Sequence, residues 1–157
     1  MAILQILKEE DNNDTLRKIS RPVETITPRT LTLLDDMWDT LHHAGGVGLA
    51  APQVGILRRI VTIEVNDGER IELINPSIVA REGTQEEAEG CLSIPDVWGI
   101  TRRPQKVTVR AQNRNGKWFE ISGEDLLARA FCHELDHLDG ILFTDNVIRM
   151  LSDEELG

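Results

Sequence analysis

Apolar residues recur at helical spacing from Pro28 to His43, where Leu31, Leu34, Met37, Trp38 and Leu41 fall on one face. Thr27 suits the cap of this helix, Pro28 its first turn, and Gly45 with Gly46 its end. The period then changes. Ile60 to Val65 is largely β-branched, and Asn66-Asp67-Gly68 turns it toward a second strand at Ile71 to Ile74. Lys106 to Ala111 alternates, with Val107 and Val109 on one face, and Asn115-Gly116 predicts a hairpin before Trp118 to Ile121. A second helix is predicted from Glu124 to Asp139, with Ser122 and Asp125 as a capping box and Gly140 as its stop. Leu127, Ala130, Phe131, Leu135 and Leu138 make that helix apolar on more than one side, which predicts a central position. The strands suit antiparallel or mixed sheet rather than regular βαβ units.

Composition bounds the class. With 157 residues, 40% of them hydrophobic, the chain is long enough for one core, and a single domain over residues 1–157 is expected. Twenty-seven acidic against 17 basic residues give a net charge of −10, which repels phosphate backbones and speaks against DNA as a partner. No apolar run approaches the roughly 20 residues of a membrane span. The stretch Ala2 to Leu7 is too short for a signal-peptide core and is followed by Glu9, Glu10 and Asp11, so a cytoplasmic location is expected. Two cysteines exclude a disulfide-rich scaffold. In a reducing compartment a Cys91–Cys132 disulfide is disfavoured, and a metal or catalytic role for one thiol is favoured.

The chemistry concentrates in Cys132-His133-Glu134-Leu135-Asp136-His137, which contains H-E-x-x-H. Side chains four apart on a helix lie one above the other, so His133 and His137 can share one metal ion. Glu134 lies about 100° around the helix, placed to take a proton from water at the metal and return it to a leaving group. A catalytic ion usually has three protein ligands and one open position. A third histidine of the metzincin pattern is missing, because Phe143 stands there, and Glu154 and Glu155 look like an exposed terminal turn. Cys91, within Glu89-Gly90-Cys91-Leu92-Ser93, offers a thiolate suited to zinc or ferrous iron, although it equally suits a small buried hydrophobe. Cys132 points about 100° away from His133 on the helix and is read as a packed neighbour of the site.

Three segments together resemble the peptide deformylases: Gly46-Val47-Gly48-Leu49-Ala50-Ala51-Pro52-Gln53, Glu89-Gly90-Cys91-Leu92-Ser93 and His133-Glu134-Leu135-Asp136-His137. They match the G-x-G-L-A-A-x-Q, E-G-C-L-S and H-E-x-D-H motifs of that family, in order. The opening Ile3 to Arg17 and the Asn115-Gly116 hairpin are also similar. The resemblance implies an α+β fold, with antiparallel sheets wrapped around the metal-binding helix. It implies Cys91, His133 and His137 as ligands of one divalent ion, usually Fe2+ and replaceable by Zn2+, Ni2+ or Co2+. The implied reaction removes the formyl group from N-formylmethionyl nascent peptides and releases formate. Metal-bound water attacks, with Glu134 as base, and Gln53 and the Leu92 N–H as donors to the oxyanion. The family pattern also implies that Glu89 pairs with Arg103, while Asp136 is either a surface charge or a support for a ligand.

Gly46 and Gly48 would let backbone approach a peptide that adds as a strand, and Val47 and Leu126 are expected as walls of a methionine pocket. The chain departs from the family in Cys132, where many relatives have glutamine, and in Trp98, where some have arginine. A monomer is expected, with the ribosome as a further partner of the family; the acidic Asp153, Glu154 and Glu155 speak against docking there through a basic tail. Two other readings compete: a zinc peptidase cutting internal bonds, and a non-enzymatic module with a structural metal.

Overall fold

The structure, a computed structural model, describes residues 2–156. Helix α1 (Glu9–Leu16) leads to helix α2 (Pro28–Ala44), then strand β1 (Gly48–Ala50) and a 3-10 turn (Ala51–Val54). Strands β2 (Ile60–Ile63), β3 (Ile71–Glu82), β4 (Gln85–Cys91), β5 (Ile94–Arg103), β6 (Lys106–Gln112) and β7 (Trp118–Glu124) follow. Helix α3 (Asp125–Leu138), a second 3-10 turn (Phe143–Asp145), strand β8 (Val147–Met150) and helix α4 (Asp153–Leu156) complete the chain. The fold is α+β, as expected.

Two antiparallel sheets form. The larger has the order β1-β2-β3-β6-β7 and the smaller β4-β5-β8. Strand β2 is buried along its length because both faces are covered. Val61 and Ile63 pack with Phe131, Leu135 and Leu138 of α3, whereas Ile60 packs with Leu34, Met37 and Leu41 of α2. Alternation along β6 puts Val107, Val109 and Ala111 into the α3 core. A third cluster, Leu16, Ile94, Leu142 and Phe143, lies under the smaller sheet.

Helix α2 begins as its sequence predicts, with Thr27 and Thr30 forming a reciprocal cap, and ends at Gly45 in the left-handed region at φ 72°. Gly140, at φ 74°, stops α3, and a Cβ there would lie 2.2 Å from the Arg17 carbonyl oxygen, so only glycine fits. The expected Ser122–Asp125 capping box does not form. Strand β7 stays paired with β6 as far as Glu124, opposite Lys106, which commits Ser122 to the sheet, where its hydroxyl lies 2.7 Å from that of Thr108. Glu124 becomes the cap residue without a side-chain hydrogen bond, and the Asp125 carboxylate accepts from Gln105 instead. Strands β4, β5 and β8 do not follow from the hydrophobic pattern, and β3 runs to Glu82, well beyond the expected Ile74.

Candidate metal centre and active site

His133 and His137 project from α3 at a spacing of one turn, and Cys91 reaches them from the end of β4, where the β4–β5 register shifts between Glu89 and Cys91. One donor atom from each of the three residues lies within 4.8 Å of the others. Cys91 Sγ is 3.4 Å from His137 Nε2. His133 Nδ1 is 2.5 Å from Glu89 Oε2, which leaves its Nε2 for the cluster. A carboxylate that holds the far nitrogen fixes the tautomer and orientation of a metal-binding imidazole.

Glu89 is itself held. Arg103 donates to it through Nε at 3.2 Å and Nη2 at 2.8 Å, and the Thr101 hydroxyl donates at 2.8 Å. Arg103 Nη1 also donates to Asp136 Oδ2 at 2.8 Å, so Asp136 serves this network and is not a free surface charge. Burial alone would raise the Glu89 carboxyl, but the bonds from His133 and Arg103 hold it down at about 2. Burial disfavours charge on both imidazoles; the nearby Glu134 and Glu89 reverse this for His133, while His137 stays lowered.

Glu134 is buried, and burial pushes its carboxyl up to about 7. Its Oε1 has no hydrogen-bond partner among the described residues, and neither has His137 Nδ1. A Cβ on Gly48 would lie 2.6 Å from Glu134 Oε2, so glycine there leaves room for the carboxylate. Gln53, buried in the 3-10 turn, accepts from the Ala50 N–H through Oε1 at 3.0 Å. Its Nε2 donates to Ser93 Oγ at 3.1 Å and lies 3.7 Å from Cys91 Sγ. An amide has two N–H donors, and here one goes to the Ser93 hydroxyl and the other, more weakly, to the Cys91 sulfur. Burial pushes the Cys132 thiol up to about 11, which keeps it protonated, and its sulfur is not among the three clustered donors.

The site opens into a cavity of about 650 Å³. His133 and Glu134 line it together with Gly46, Val47, Gly48 and Leu126. Val47 and Leu126 are 41% and 37% exposed, which places them at the mouth. Two participants carry no signal of their own in the sequence. Ser93 sits inside the E-G-C-L-S motif, which was the one pointer to it. Lys8 lines the cavity from the N-terminal segment, with no motif around it. Trp98, noted in the sequence as a departure from the family, also lines the cavity and packs on Gly90.

A thiolate, two imidazoles and an adjacent orphaned carboxylate oxygen fit a tetrahedral divalent ion with one position open. The family model of the polypeptide deformylases matches residues 3–152. The chain belongs to that family. A peptide deformylase of Caldicellulosiruptor bescii is 55% identical over 99% of this chain and 92% of the relative. One of Caldanaerobacter subterraneus subsp. tengcongensis is 57% identical over 99% of this chain and 96% of the relative. A crystal structure of a peptide deformylase from Legionella pneumophila superposes with a TM-score of 0.88 at 47% identity, covering 98% of this chain and 89% of that one. The Synechococcus elongatus enzyme, solved with actinonin, superposes at 0.87 with 36% identity, covering 98% and 81%. Deformylases are metallohydrolases, and the Cys-His-His cluster is the donor set this member offers.

Proposed function

We propose that this deformylase removes the formyl group from N-formylmethionyl nascent peptides at the Cys91, His133 and His137 site, using one divalent metal ion, Fe2+ in the native enzyme. The observation that carries the reading is the convergence of three metal donors beside a buried carboxylate that has an unpartnered oxygen. When bound, the ion supplies Lewis acidity, polarising the formyl carbonyl and lowering the pKa of water. Zinc, nickel or cobalt would satisfy the same donors.

Glu134 is the proton carrier. A carboxyl held near neutrality accepts a proton from water and returns it to the departing amine nitrogen. The Gln53 Nε2 proton that faces the Cys91 sulfur turns to the oxyanion as it develops, and the Leu92 N–H donates beside it. Glu89 keeps His133 oriented, and Arg103 keeps Glu89 charged. Strand β1 is an edge of the larger sheet, so an extended peptide can add to it. Val47 and Leu126 then flank the methionine side chain, and Trp98 lies along the peptide beyond it. Among the described residues no helix is long and apolar enough to cross a membrane. Action on nascent chains places the enzyme in the cytoplasm on this reading.

The test compares a formyl-Met peptide with its unformylated counterpart, using protein purified without oxygen and assayed for metal. Formate from the first and no cleavage of the second is the expected result, with iron at about one per chain. Cleavage of an internal bond in either peptide would replace this reading with a zinc-peptidase one, and bound metal without formate would make the protein a binding module.

A further inference from the structure

Residues 7, 8 and 9 touch both halves of the proposed oxyanion site. The Leu7 N–H donates to the Gln53 carbonyl at 2.7 Å, and the Glu9 N–H donates to the Ser93 carbonyl at 2.8 Å. Between them, Lys8 Nζ donates to the Leu92 carbonyl at 3.1 Å. Gln53 and Leu92 lie on separate segments, joined directly by the Gln53 Nε2 bond to Ser93 Oγ at 3.1 Å. The N-terminal segment is itself anchored on α2: the Ala2 N–H donates to Asp36 Oδ1 and the Leu4 N–H to Thr40 Oγ1, each at 2.8 Å. Glu9 opens α1, so its N–H is among those a helix cannot satisfy internally, and here it is used across the chain.

We infer that Leu7, Lys8 and Glu9 form a clamp that sets the register of the two oxyanion donors, with Lys8 as a positioning residue for turnover. The inference rests on the reading of Gln53 and the Leu92 N–H as those donors. A donor stabilises a transition state only when its direction is fixed before charge develops. Two of the three clamp bonds come from backbone N–H groups and do not depend on side-chain identity. The third comes from the Lys8 ammonium, and a charged donor makes the stronger kind of hydrogen bond. By holding the Leu92 carbonyl, Lys8 limits rotation about the residue whose N–H faces the substrate. Lys8 is half-buried on the cavity wall, so the bond is partly shielded from water.

The test measures kcat, KM and metal content for Lys8→Met, Lys8→Arg and Gln53→Ala, with hydrogen exchange of the peptide spanning residues 89–95. Lys8→Met should lower kcat roughly tenfold, a fraction of the loss from removing a donor outright, with KM within about twofold and metal retained. Amide exchange in 89–95 should quicken. Lys8→Arg, which keeps a charged donor, should recover most of kcat and of the protection. Wild-type kcat in Lys8→Met, a KM rise that accounts for the whole loss, or failure of Lys8→Arg to rescue would each overturn the clamp. Full turnover by Gln53→Ala would overturn the oxyanion reading beneath it. A slow Gln53→Ala beside an unimpaired Lys8→Met would overturn the clamp alone.

Discussion

The two sheets of this deformylase meet the same helix and use it differently. Toward the larger sheet α3 presents Ala128, Phe131, Leu135 and Leu138, which pack on Val61, Ile63, Leu73, Val107 and Val109. Toward the smaller sheet it presents His133, Asp136 and His137, which meet Glu89, Cys91 and Arg103. The first contact is held by apolar burial and tolerates small shifts; the second is held by hydrogen-bonded charges at fixed distances. Fully burying one aliphatic side chain contributes about 1.5–3 kcal/mol. A buried charge left without its partner costs about 3–5 kcal/mol. The helix is thus anchored by the larger sheet and aligned by the smaller one.

Substitutions that separate the two contacts give the strongest tests. Arg103→Met leaves the buried Glu89 and the half-buried Asp136 without their cation, so stability should fall by about 3–5 kcal/mol. Urea unfolding reads that loss, and metal affinity should weaken by about 10–100-fold as His133 loses its held orientation. Gln53→Ala should cost about 2.7–4 kcal/mol in the transition state, a loss of about 10²–10³ in turnover, with metal content unchanged. Loss of metal in that variant would show that Gln53 supports Cys91 instead of the oxyanion. Leu73→Ala should destabilise by about 3 kcal/mol, within the range for such cavities, while kcat of the folded fraction stays within about twofold. A large kcat loss there would break the division between anchoring and alignment. The smallest effect is expected from Arg102→Ala, whose partner Glu86 is exposed: less than about 1 kcal/mol by thermal unfolding.

The same contrast explains what the sequence discloses. Strand β6 and helices α2 and α3 carry apolar periodicity because each buries a face in a core, and β2 a continuous β-branched run because both its faces are covered. Strand β4 carries Gln85, Glu86, Glu87, Ala88 and Glu89; its outward residues are solvated, and its inward Glu89 is paired with Arg103 rather than packed. Such a strand has no apolar signal to read. The capping box at Ser122 failed for a related reason, since pairing of β7 with β6 overrides a local preference. In the site, His133 and His137 are legible from their spacing, because one helical turn dictates that they share a face. Cys91 needed thiolate chemistry and the family motif. Lys8 and Ser93 remained hidden because a bond to a backbone carbonyl, or to the neighbouring Gln53 amide, leaves no pattern of residue types.

On the proposed function, three donors from two elements hold one ion while Glu134 moves the proton. Metal content and formate release measured on one sample of Glu134→Gln, beside the wild type, test it most directly. About one ion per chain is expected in both proteins, with turnover in the variant lower by about 10²–10⁴-fold or more. A variant that keeps wild-type turnover, or one that loses its metal together with its activity, would contradict it.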